Sequence, residues 1–193
     1  MTAAGVGLVV RPGRATVVIL QGTRRLPAMV LRHEIDLGDV WVPESLHPYH
    51  RELGDPGPTG VRERRRGCAA ARRASSRAIR RLIGEMRSHG FAPHGLAIVL
   101  SRPAKSTPAL GAHARAHAEE RKLYDEAVAA ALDACGVRAA KLIGEDLRAL
   151  AAKQVRDIDT TLRAFSHVVG TPWRAQEKQA ALAAWLVLPV RSV

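Results

Sequence analysis

The sequence predicts an α/β protein with a mixed five-stranded sheet flanked by helices. Three observations predict it: two β-branched runs open the chain, two further compact apolar runs stand near 93–100 and 137–143, and stretches of helical periodicity separate and follow them. At 193 residues the chain is long enough to bury a proper core and is most economically one domain, 1–193.

Gly5 to Leu20 supplies two strands, VGLVV and ATVVIL, around the turn Arg11-Pro12-Gly13-Arg14. Residues 26–36 make a third, in which Met29, Leu31, His33 and Ile35 would line one face, so the chain opens as an antiparallel meander. From Leu37 to Gly60 the composition turns to Gly, Pro and His, with Trp41, His47, Tyr49 and His50 interspersed. This reads as an irregular insertion at about 37–60, of a length that tends to be functional or mobile.

Val61 to Gly90 is the longest helical stretch. Cys68, Ala71, Ser75, Ala78, Leu82 and Met86 form one apolar stripe, widened by Ile79 and Ile83, and the opposite side is mostly arginine. Ten arginines there face only Glu63 and Glu85. The run HGLAIVL before Ser101 is a central strand, and Ser101 to Leu110 a loop. A helix over 111–135 carries His113, His117, Glu119, Glu120 and Tyr124 ahead of an apolar half, with Gly136 as its stop. Val137 to Ile143 is the last strand, and Glu145 to Leu162 is helical.

The remaining stretch, Pro172 to Leu188, organises the rest. Ala180, Ala181, Ala184, Trp185 and Leu188 recur at helical spacing, Pro172 suits a helix start and Pro189 ends the run. The small alanines let such a helix lie close to a sheet. Glu177 and Lys178, in its first turns, are expected at an open rim.

Thirty Lys and Arg against eighteen Asp and Glu give a formal charge of +12 and a sequence pI near 11.1. A polyanion is the partner class this favours. With no long apolar run and no lipidation motif, nucleic acid is favoured over a membrane. Cys68 and Cys135 sit among alanines and read as small core residues of a reducing compartment. The N-terminus lacks the order of a signal peptide, which makes a cytoplasmic location the expectation.

Several local signatures resemble the RuvC-type Holliday-junction resolvases, a family with a ribonuclease H-like fold. GLVVRPGRATVVIL is similar to the family's Gly-Ile-Asp-Pro-Gly-Ser-Arg strand and turn. STPALGAHARAHAEE is similar to its Leu-Gly-Gln-Ala-Arg-Gly helix, AAKQVRDIDTTL to its Ala-x-Lys-x-Gln-Val segment, and EKQAALAAW to its closing Asp-x-x-Asp-Ala-Leu-Ala helix. The pieces lie in family order across most of the chain. The resemblance implies that fold, a homodimer, and a nuclease site of four side chains holding two divalent cations. Here those positions fall on Arg11, on Val99, on Glu177 and on Ala180. Three of the four acids are missing, so the resemblance implies a degenerate member that does not cleave by the family's mechanism. No cofactor is expected, with Mg2+ or Mn2+ required only if a nuclease site is assembled elsewhere.

His113 and His117 share a helix face with Glu120 and Tyr124, but HARAH lacks the glutamate of the zincin motif and no third ligand can be named from sequence. Glu34 with Asp36, and Glu145 with Asp146, would bind a cation only if they converged; helix capping is the simpler role for the second pair. Trp173 next to Arg174 reads as a hydrophobic plug in preference to a base-stacking pair.

The favoured reading is a non-catalytic nucleic-acid-binding protein, with DNA as its partner. Its contacts are Arg64, Arg65, Arg66, Arg72, Arg73, Arg77, Arg80 and Arg81 on the long helix, together with Arg102, Lys105, Lys153 and Arg174. Two other readings stand beside it: a metal-dependent nuclease with a relocated or partner-completed acid set, and a subunit of a larger protein assembly that uses the fold only for partner contacts.

Overall fold

Two strands of almost unbroken apolar character, β1 (Thr2–Arg11) and β2 (Arg14–Gly22), form an antiparallel hairpin closed by Pro12 and Gly13. Gly13 has φ +80°, which a residue without a side chain adopts at no steric cost. In the computed structural model, which describes residues 2–102 and 111–190, this hairpin is the middle of a mixed sheet in the order β3-β2-β1-β4-β5. β3 (Pro27–Asp36) pairs antiparallel with β2, while β4 (Phe91–Leu100) and β5 (Ala139–Ile143) run parallel to β1. The predicted fold class is the observed one.

Because β1 is buried on both faces, alternate residues serve two different cores. Val6, Leu8 and Val10 face α2 (Pro58–Ser88) and α3 (Ala112–Ala134), packing with Ile79, Ile83, Leu123 and Val128. Val9 faces the opposite layer, made by α4 (Leu147–Ala152), α5 (Ile158–Val169) and α6 (Ala175–Leu186), where Ala180, Ala184, Trp185 and Phe165 lie. Cys68 is buried and Cys135 half-buried, both as free thiols.

Four local expectations change. The single face proposed for β3 is broken by a bulge: Ile19 pairs with Leu31 but Leu20 pairs with Met29, so Met29 reaches the α6 layer while Ile35 reaches the α2 layer and Leu31 is exposed. The helix expected over 145–162 is two helices, because the chain turns through buried Val155 and through Asp157 at φ +51°. The last helix starts at Ala175, after a cis Thr171-Pro172 bond, and Pro172 lies outside it. The stretch 37–60, expected to be irregular, holds a 3-10 turn (Pro43–Ser45), helix α1 (Pro48–Gly54) and the first residues of α2. Prolines at the first positions of these helices, where no N–H is needed, explain the order there.

Backbone meets backbone closely between α6 and β1. A Cβ placed on Gly7 would stand 1.9 Å from the Ala180 carbonyl oxygen, and one on Gly5 would stand 2.3 Å from that of Ala184. Both obstacles are backbone, which cannot swing aside. Gly7→Ala is therefore expected to cost more than about 3 kcal/mol in urea unfolding. Gly84→Ala, on the exposed side of the last turns of α2 with nothing within 4 Å, should instead stabilise by up to about 1 kcal/mol.

Candidate functional site

The long helix α2 carries its apolar stripe inward and leaves its arginines on the opposite side. Arg66, Arg73, Arg77, Arg80 and Arg87 recur at helical intervals and all are exposed. Arg65 and Arg72 form an adjoining row. At 1.5 Å per residue the Arg66–Arg87 row is about 30 Å long, roughly one turn of duplex DNA. Among the described residues Arg65, Arg66, Arg72, Arg73 and Arg80 make no ion pair, while Arg77 pairs with Asp39 at 3.0 Å and Arg81 with Glu85 at 2.7 Å. Arg64 is turned aside, pairing with Glu52 and lying 5.6 Å over the Tyr49 ring.

The other basic candidates lie elsewhere. Arg102 pairs with Asp146 at 2.7 Å at the end of β4. Lys153 and Arg174 are exposed beside α4 and α6, in the layer on the opposite side of the sheet from α2. Lys105 lies outside the described residues.

At the end of β1, Arg11 donates to Glu34 at 3.2 Å, and Arg14 stands 3.7 Å from the same carboxylate. Val99 is buried among apolar neighbours and Ala180 lies against β1. Glu177 is turned back on its own helix, accepting the Arg174 N–H at 2.9 Å, with Arg32 at 3.9 Å; its side chain is only 13% exposed. The acid pairs do not converge, because Glu34 and Asp36 belong to one edge strand and Glu145 and Asp146 follow the other. Glu145 accepts the backbone N–H of Arg102, and Asp146, at the N-cap position of α4, makes no side-chain capping hydrogen bond there. Trp173 packs partly buried against the α6 layer, as a plug would.

On the α2–α3 side of the same sheet end, a histidine cluster forms that local spacing could not reveal. Helical geometry aligns His113, His117, Glu120 and Tyr124 on one face of α3. The Tyr124 hydroxyl donates to the Ser45 carbonyl, which brings α1 alongside. His50 Nδ1 then lies 2.8 Å from Glu120 Oε1 and His47 Nδ1 3.1 Å from Oε2. His50 Nε2 is 3.2 Å from His113 Nδ1, and His113 Nε2 is 3.0 Å from His117 Nε2. Glu120 is 0% exposed and pairs with no Lys or Arg among the described residues. Desolvation, then the neighbouring His50 and His113, push the His117 pKa down. His50, His113 and His117 offer nitrogens within ligating distance of one another, as do His47, His50 and Glu120.

Beside this cluster opens a cavity of about 1250 Å3, bordered by α3 and by the ends of β4 and β5. Asp125 borders it with one carboxylate oxygen buried and unpartnered, and burial raises its pKa to about 7.

No protein-family model matches the chain, and no curated protein matches it in sequence. Among solved structures, it is similar to Thermus thermophilus RuvC in complex with Holliday junction substrate, with TM-score 0.56 and 9% identity over 95% of this chain and 90% of the other. It is also similar to Thermus thermophilus RuvC alone, with TM-score 0.53 and 10% identity over 96% and 92%. These similarities show a RuvC-like, ribonuclease H-like fold. No helix among the described residues is long and apolar enough to cross a membrane.

A carboxyl held near pKa 7 in the fold but near 4 when unfolded is a penalty that grows as pH rises between those values. Asp125→Asn should raise the melting temperature by a few degrees at pH 8, and the gain should vanish below about pH 4.

Proposed function

We propose that this chain is a single-domain DNA-binding protein without nuclease activity, on a RuvC-like fold whose metal-binding acids have been replaced. The observation that carries the binding half of the reading is the exposed, largely unneutralised arginine face of α2. Guanidinium groups along a row of this length suit successive phosphates, and contacts of that kind supply affinity without reading sequence. A net charge of +12 adds long-range attraction. One of the similar structures is described as a complex with a Holliday junction, which makes branched DNA the first substrate to try.

The non-catalytic half rests on the end of β1. Hard divalent cations need several oxygen ligands at short range. Arg11, Val99, Ala180 and a Glu177 engaged in capping do not fit that requirement, and the Arg11 and Arg14 guanidinium groups repel a cation there. The family's homodimer belongs to the same reading, and the mass of the chain in solution tests it.

The direct experiment combines binding and cleavage on labelled four-way junction, duplex and single-stranded DNA, with Mg2+ or Mn2+, across a salt series. Binding that weakens steeply with salt, without cleavage, is the expected result. Arg72→Ala, Arg73→Ala and Arg80→Ala combined should lower the logarithmic salt slope by about three. Cleavage would overturn the non-catalytic half, and absence of binding at low salt would favour a protein-assembly subunit.

A further inference from the structure

We infer that His50, His113 and His117 form a binding site for one divalent transition-metal ion of the imidazole-preferring class, represented by Zn2+, with Glu120 as the buried carboxylate behind it. This site is independent of the α2 arginines and of the family's acid positions.

Geometry is the first argument. Tetrahedral Zn2+ with bonds of about 2.0–2.1 Å holds its ligand nitrogens about 3.3 Å apart. The nitrogen separations of 3.2 Å between His50 and His113 and 3.0 Å between His113 and His117 are close to that spacing. The three rings are mutually edge-on, with centroids 4.5 to 4.6 Å apart. His113 meets its two neighbours through different nitrogens, and because it is exposed, a modest ring rotation directs one nitrogen to the shared point. A set of three histidines leaves one position of a tetrahedron open.

Proton placement also favours an ion there. A carboxylate only accepts, so His50 Nδ1 carries a hydrogen toward Glu120, and in the neutral imidazole Nε2 is then a lone pair. Without an ion, that lone pair accepts from His113 Nδ1, and His113 Nε2 accepts from His117 Nε2. The chain of donors then ends with the His117 Nδ1 lone pair facing Glu120 Oε2 at 3.8 Å, acceptor against acceptor. An ion that accepts the Nε2 lone pairs of both His50 and His117 reverses this end, because both Nδ1 hydrogens then point at Glu120. The result is the carboxylate–histidine–metal arrangement that orients ligating imidazoles.

Charge is the third argument. A fully buried carboxylate needs a compensating positive charge. Adjacent histidines repel each other's protons, whereas one dication among neutral imidazoles supplies the charge without that repulsion. Nitrogen ligands exclude Mg2+ and Ca2+ as the natural occupant.

The test uses untagged, chelator-treated full-length protein titrated calorimetrically with Zn2+, and with Co2+ for its visible ligand-field bands. One ion per chain is expected, bound at micromolar or lower concentration, with no heat from Mg2+ and with the Co2+ spectrum of a four-coordinate site that has three nitrogen ligands and one open to solvent. His113→Ala and His117→Ala, both exposed and expected to fold, should each weaken binding more than about tenfold, and Glu120→Gln about 10- to 100-fold. Absence of stoichiometric Zn2+ binding would overturn the proposal. So would binding that the combined His113→Ala and His117→Ala variant leaves unchanged, since the ion would then sit elsewhere. Circular dichroism of each variant separates a lost site from a lost fold.

Discussion

The structure depends on the contact between the backbones of α6 and β1. Glycines at 5 and 7 remove the side chains that would keep the two apart, and Ala180, Ala181 and Ala184 do the same from the helix. Few apolar side chains are needed between surfaces that approach so closely, since dispersion between dense backbones replaces them. That suits a chain with only four per cent aromatic residues. The contact also sets the height of the helix on the sheet. It brings the first turn of α6 to the carboxyl end of β1, where Glu177 is committed to its own helix terminus.

The two faces of the sheet end consequently differ in chemistry. On the α6 side, guanidinium groups from β1, β2 and β3 surround the few carboxylates. On the α2–α3 side, a buried glutamate gathers imidazoles from two segments. The first environment disfavours a cation and the second attracts one, though both lie at the same end of the sheet. The arginine row of α2 belongs to neither, since it lies on the outside of the helix and depends on the fold only for its straightness and exposure.

Sequence patterns reveal what repeats locally. The hairpin, the α2 stripe and the α3 face from His113 to Tyr124 all follow from periods of two or 3.6 residues. The β2–β3 bulge does not, because a one-residue slip between two apolar strands leaves the composition of each unchanged. The break between α4 and α5 turns on Asp157, a residue type that adopts left-handed backbone without announcing it. His113 and His117 were visible as a pair, but their partner His50 is 63 residues distant from His113, and only tertiary packing through Ser45 and Tyr124 joins them. Glu120 is the residue that marks the place in the sequence: it sits on the same face as His117 and Tyr124, where an unpaired acid would be costly.

The irregular pairing of β3 bears on how far the sheet can extend. Its outer edge is bent by the bulge, begins with Pro27 and carries Arg32, His33, Glu34 and Asp36, while the opposite edge, β5, is five residues long and bears Lys141. Edges that are short, kinked or charged resist the addition of a further strand from another molecule. The sheet thereby resists growth by strand addition, and any contact between copies would fall to the helical surfaces.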